Sequence, residues 1–330
     1  MYQEFIRWVK TNGFTSRVYT DIEVLKNTST LDLSGLKIRE LPECIGAFTN
    51  LSVLKLSNNR LKRLPSSIKE LKKLRNLQCE NNLLEELPQG ISELQNLVVL
   101  NLNGNRLQEF PTSLCELKNL TRLTLSTNYI KELPLQMKKL KKLLYVSFDT
   151  NYLQELPDIF EDMHSLYFLD LSYNELASIP SSIGKIAELE TLLLEGNKLS
   201  SLPSLEAHDM LIKLNLNNNN LTKLDFKVGR LEDLQILTLD DNNISHLPDC
   251  ICGLERLNYL SISGNKLQEL PFFIGDLENL LELDIEDNEL KELPQSFERL
   301  QKLKNLYLAD NQIDAQKLPP LKSLEFCDIL

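Results

Sequence analysis

The chain has 330 residues, 42% of them hydrophobic and 25% charged, with a formal net charge of −11. That balance is one of a folded, soluble protein. No apolar run reaches the roughly 18 residues a membrane span needs, and the acidic charge disfavours nucleic acid and anionic membrane, both of which call for a basic stripe.

The first ten residues, MYQEFIRWVK, carry an early Glu and no pure apolar stretch, so no secretory signal is expected. Residues 1–27 stand outside the pattern that follows. Phe5, Trp8 and Val9 share one face at helical spacing, and Asn12-Gly13 supplies a stop. A helical N-terminal cap over 1–27 is therefore expected, with Trp8, the single tryptophan, plugging the apolar end of what comes next.

Over residues 28–330 a unit of 23 residues recurs, starting at 28, 51, 74, 97, 120, 143, 166, 189, 211, 234, 257, 280 and 303, with a fragment from 324. Counting the first residue as zero, apolar side chains fall at offsets 3, 5, 10, 13, 17 and 20. Asn holds offset 8 in twelve units, from Asn59 to Asn311, and Leu36 takes its place in the first. A buried bend after each strand leaves backbone groups without a ladder partner, and a side-chain amide can satisfy both donors and acceptors there. These asparagines read as structural. Eleven of the thirteen prolines hold offset 14, where fixed φ starts the return.

The unit from Leu189 has 22 residues and an altered return from Pro203 to Met210, and the next has Asp225 where Pro is expected. Together they mark a candidate seam. At the end, Leu324, Cys327 and Ile329 supply a last strand without a polar cap, which predicts cover by a second copy or a longer natural chain. Two of the six cysteines, Cys79 and Cys327, replace core leucines, and those sharing a column lie too many coils apart to bridge, so a reducing compartment is expected.

The run Leu97-Val-Val-Leu-Asn-Leu-Asn-Gly-Asn105-Arg-Leu, with the return Leu61-Lys-Arg-Leu-Pro-Ser-Ser-Ile68-Lys-Glu-Leu71, resembles the leucine-rich repeat family over nearly the whole chain. The resemblance implies an α/β repeat solenoid: a horseshoe with a parallel sheet inside and 3₁₀, irregular or helical returns outside. The proline-bearing return is similar to the intracellular Ras-suppressor, erbin and scribble class, and also to bacterial effectors. It implies a cytoplasmic protein (or one acting in a host cytosol) and, by analogy, small GTPases or phosphatase subunits as partners.

No catalytic constellation, phosphate loop or metal-ligand spacing is present, and His164, His208 and His246 are scattered. A non-enzymatic protein without cofactors or metals is expected. Binding is assigned to the concave strand positions, offsets 2, 4, 6 and 7, which hold thirteen acidic residues and three basic ones, Lys55, Arg122 and Lys213. The proposed site takes the acids Asp149, Asp170, Glu195, Asp240, Asp241, Glu282, Asp284 and Glu286. It adds Tyr145, Phe168, Tyr173 and Leu193, clustered apolar groups of the kind that anchor interfaces. Tyr129 and Tyr152 flank them at the rim. The expected function is a scaffold that binds a basic protein surface. The alternative is the recognition part of a larger enzyme or effector whose active domain lies beyond residue 330.

Overall fold

A computed structural model describes residues 1–14, 19–205, 208–224, 228–314, 316, 318–321 and 323–328. Asp225 and Ile329, singled out above, lie outside the described residues. No helix among the described residues is long and apolar enough to cross a membrane. The chain forms two compact units, Met1–Leu153 and Gln154–Leu330.

The first unit opens with helix α1 (Tyr2–Thr11) and the short helix α2 (Ile22–Asn27), the latter capped by the Asp21 carboxylate, which accepts from the Glu23 amide at 3.0 Å. Phe5 and Val9, four residues apart, face the first coil and are fully buried, with Phe5 against the Phe48 ring at 4.8 Å. Trp8 falls at the edge of that face and stays half-buried, between Phe5 at 5.5 Å and Phe14 at 6.0 Å. The plug is thus Phe5, with Trp8 beside it. Six three-residue parallel strands follow: β1 (Thr30–Asp32), β2 (Val53–Lys55), β3 (Asn76–Gln78), β4 (Val99–Asn101), β5 (Arg122–Thr124) and β6 (Tyr145–Ser147).

The second unit has eight: β7 (Phe168–Asp170), β8 (Thr191–Leu193), β9 (Lys213–Asn215), β10 (Ile236–Thr238), β11 (Tyr259–Ser261), β12 (Glu282–Asp284), β13 (Asn305–Tyr307) and β14 (Phe326–Asp328). Register is set by the repeat, so Leu237, Leu260, Leu283 and Leu306 lie side by side beneath the sheet. In both units the chain returns through short 3₁₀ turns, several beginning directly after the offset-14 proline, as Ser66–Glu70 does after Pro65 at φ −67°. Most leucines at the core offsets are buried, at about 1.5–3 kcal/mol per side chain before entropy is subtracted, whereas Leu135, Leu144 and Leu281 lie off those offsets and are exposed.

The asparagines behave as the bend requires, and their partners explain the one exception. Asn59 accepts from the Ile38 amide at 3.0 Å and donates to the Leu33 carbonyl at 2.8 Å, both in the preceding coil, and to its own Leu56 carbonyl at 2.9 Å. Asn82, Asn105, Asn128 and Asn151 repeat this in the first unit, and Asn197, Asn219, Asn242, Asn265, Asn288 and Asn311 in the second. Each amide reaches backwards. The first coil has no coil behind it, so an Asn at position 36 would lack two of its partners, and Leu stands there instead.

The short repeat does not interrupt the sheet. β8 and β9 pair in register, Thr191 with Lys213, and Asn219 still binds back to Leu199 and Leu194. The missing residue is absorbed in the return, where His208 occupies the place of the offset-20 leucine and is fully buried. At the other end, Cys327 is exposed and not in the core, because no described residue packs over β14.

Candidate functional site

The strand-face side chains are held by the same short strands, and the two units differ sharply. Residues 1–153 contain 22 basic and 15 acidic residues, a net +7, whereas residues 154–330 contain 14 and 32, a net −18. On the strand face the first unit has Asp32, Glu80 and Asp149 against Lys55 and Arg122, while the second has ten acids against Lys213 alone. The acidic face therefore belongs to the second unit.

In the first unit, Tyr145 is half-buried under the Arg122 guanidinium, 3.8 Å above its ring. Asp149 accepts from the Ser147 hydroxyl at 3.0 Å and the Thr150 hydroxyl at 3.1 Å. Tyr129 and Tyr152 stack on one another, 6.0 Å apart and nearly parallel. These groups are largely occupied with each other.

In the second unit, register sets Phe168 beside Thr191 and Asp170 beside Leu193. Tyr173 donates its hydroxyl to Glu195, which also accepts from the Asn215 amide at 2.9 Å. That bond to Glu195, and then burial, hold the Tyr173 phenol above its ordinary value. Tyr173 sits at offset 7, and there the structure adds a constraint. Offset 7 is left-handed throughout, with φ from +47° at Asp287 to +69° at Gly35, a region that Gly, Asn and Asp tolerate best. Asp241, Asp287 and Asp310 are thus there partly for backbone reasons. Tyr173, at φ +51°, pays a conformational cost, and its ring lies over Gly196, where a Cβ would meet ring carbon Cδ1 at 2.6 Å.

The densest part of the face lies on β10 to β14. One row runs Ile236, Tyr259, Glu282, Asn305, Phe326, and the next Thr238, Ser261, Asp284, Tyr307, Asp328. Asp240 accepts from the Ser261 hydroxyl at 2.5 Å, the Ser263 amide at 2.9 Å and the Asn217 side chain at 2.9 Å. Even so, burial, with Asp241 nearby, leaves its carboxyl above the usual range. Burial raises Asp284 as well, and Asp240 and Glu282 add to it. Glu286 rises through burial and then through Asp284, Asp328 and Asp310. Asp240, Glu282, Asp284 and Glu286 are thereby brought together as mutually repelling, partly desolvated anions, a state that a cationic partner relieves.

Sequence reasoning passed over Tyr259, Tyr307 and Phe326, which border this cluster. Tyr307 and Phe326 pack at 5.3 Å, and Phe326 is exposed. The signal was present, since all three occupy offsets 2 or 4. Among the described residues no three His, Cys, Asp or Glu side chains are arranged to hold a metal ion.

A family model described as a leucine-rich repeat region matches residues 16–101 and 251–329. Further leucine-rich repeat models match 118–176 and 210–267, and 96–117. A leucine-rich repeat protein of Leptospira interrogans shares 32% identity over 92% of this chain and 89% of its own, with a TM-score of 0.77. The chain belongs to the leucine-rich repeat family. The plant peptide hormone receptor RGFR1, solved in complex with RGF2, is 29% identical over 91% of this chain at a TM-score of 0.77. The chain spans 55% of that receptor's length. An internalin of Listeria monocytogenes, 20% identical over 99% of this chain and 94% of its own with a TM-score of 0.69, shares the fold. A search of curated proteins returns no match. The matched leucine-rich repeat models are binding repeats, none is a catalytic family, and the fold is one of protein–protein interaction.

Proposed function

We propose that this leucine-rich repeat protein is a non-catalytic scaffold that takes a basic protein segment on the strand face of residues 154–330. The observation that carries it is the cluster of Asp240, Glu282, Asp284 and Glu286 beside Tyr259 and Tyr307. Burial and like charge raise Asp240, Asp284 and Glu286, and Lys or Arg side chains would offset that repulsion while apolar partner groups cover the rings. The bound peptide of RGFR1 is in keeping with ligand capture by arrays of this architecture. The six free cysteines support action in a reducing cytosol, burial having pushed Cys44 and Cys115 to about 11 and Cys252 to about 12. Small GTPases and phosphatase subunits remain partner candidates by class resemblance.

The test is capture of cytosolic proteins by wild type and by an Asp240→Lys/Asp284→Lys/Glu286→Lys variant across a salt series. A partner bound here is lost from the variant and weakens as salt rises. Binding that survives both assigns the interface elsewhere.

A further inference from the structure

A second surface lies on the return side of the acidic unit. At offsets 15 and 16 the other described coils carry mostly small or polar residues, such as Ser66-Ser67, Thr112-Ser113 and Gln295-Ser296, but the eleventh carries Phe272-Phe273. Both rings are out in solvent, 62% and 48% exposed, and pack edge to face at 5.0 Å. Unlike Tyr129 and Tyr152, these rings carry no hydroxyl for water to solvate, so together they leave a wholly apolar patch in solvent. Their backbone is fixed: the Phe272 carbonyl accepts from the Ser296 hydroxyl at 2.5 Å, and Gly275 abuts the next coil so closely that a Cβ would lie 1.8 Å from the Ser296 carbonyl oxygen.

Phe272 forms one wall of a groove of 520 Å³ whose floor is Leu247, Leu270, Leu293 and the prolines Pro271 and Pro294. Its rim carries His246 and the acids Asp249, Glu269 and Glu292, none of which has an ion-pair or hydrogen-bond partner for its carboxylate among the described residues. An apolar floor, an exposed aromatic wall and an unpaired acidic rim fit one chemistry. We infer that this groove docks a short protein segment presenting an apolar anchor flanked by Lys or Arg, independently of the strand face. The molecule then has two protein-binding surfaces on one unit, which is what a scaffold needs to hold two partners at once.

The experiment selects a random-peptide library against the full chain carrying Asp240→Lys/Asp284→Lys/Glu286→Lys, so that the strand face is disabled. Selected peptides are then titrated by fluorescence anisotropy against that protein and against the same protein with Phe272→Ser/Phe273→Ser or Glu269→Gln/Glu292→Gln. The expected peptides carry an apolar residue with neighbouring Lys or Arg. Their affinity falls at least about tenfold with the Phe changes and about threefold with the charge changes. Equal melting temperatures of these proteins exclude unfolding as the cause. Peptides that lack basic residues, or bind the Phe-substituted protein equally well, overturn the inference. So does a concentration-dependent increase in mass that Phe272→Ser/Phe273→Ser abolishes, because the occupant is then a second copy of the chain. Failure of the strand-face reading leaves this result unaffected.

Discussion

Asn242→Ala is the sharpest test of how the coils are held. The Asn242 side chain accepts from the Leu221 amide at 3.0 Å and donates to the carbonyls of Leu216 at 2.9 Å, Leu239 at 3.0 Å and Asp240 at 3.1 Å. Truncation does not orphan all four groups. Leu216 still accepts from Asn219 at 3.1 Å, and Leu239 from Asn265 at 2.9 Å. The Leu221 amide is the buried donor left without its partner. Losing one buried donor costs about 1–3 kcal/mol, and weakening the remaining bonds adds about 1, so destabilisation of about 3 kcal/mol is expected. Urea unfolding gives the total, and hydrogen exchange at the Leu221 amide reports the local opening. A loss below about 1 kcal/mol with unchanged Leu221 protection would refute the reasoning.

Asp284→Asn is expected to stabilise the protein at neutral pH while weakening its basic partner. The folded carboxyl lies above its unfolded value, so its favourable contribution exists below the unfolded value of about 4 and is lost as pH rises through the folded one. Melting curves should show the gain near neutrality and its disappearance in acid. His208 lies below its ordinary 6.5, chiefly through burial, with Nδ1 against the Ile186 carbonyl at 2.8 Å and Nε2 unpartnered among the described residues. Stability should therefore fall by up to about 1.4 kcal/mol per pH unit as pH drops from about 6.5 towards the folded value, and His208→Leu should abolish that slope and add about 1–2 kcal/mol. Gly196→Ala should cost about 1–2 kcal/mol, since φ is +66° and the Tyr173 ring occupies the Cβ position. Tyr173→Phe, which keeps the ring, should cost less than about 1 kcal/mol by the same urea measurement.

The fold was legible because the repeat states each physical need in every copy: leucines for the core, Asn for the bend, Pro for the return. What one residue does in an isolated coil was legible too. Relations between coils were not. The backward reach of the asparagines, and hence the reason for Leu36, needs two coils in view. The site was read less well. Counting Asp241 as a free binding group overlooked the left-handed backbone at offset 7, although Gly35, Gly104, Gly196 and Gly264 in the same column announce it. Summing the strand face over all coils concealed that ten of its thirteen acids lie in the second unit, against three in the first. Cys327 and Trp8 sit at ends, where the periodic argument loses its neighbours, and both are less buried than their positions suggested.

The backward-reaching amide also makes the coil an interchangeable part. Because each Asn named above meets an equivalent carbonyl and an equivalent amide in the coil before it, excising or duplicating one of those repeats within a unit rejoins matching partners at the new junction. Even the 22-residue repeat passes this bond along unbroken. Only changes that leave a fraction of a repeat are penalised. Unequal recombination between copies can therefore lengthen or shorten the array while its core stays chemically the same. The extent of the strand face, and the distance along the chain from one recognition patch to the next, are then heritable variables separable from stability.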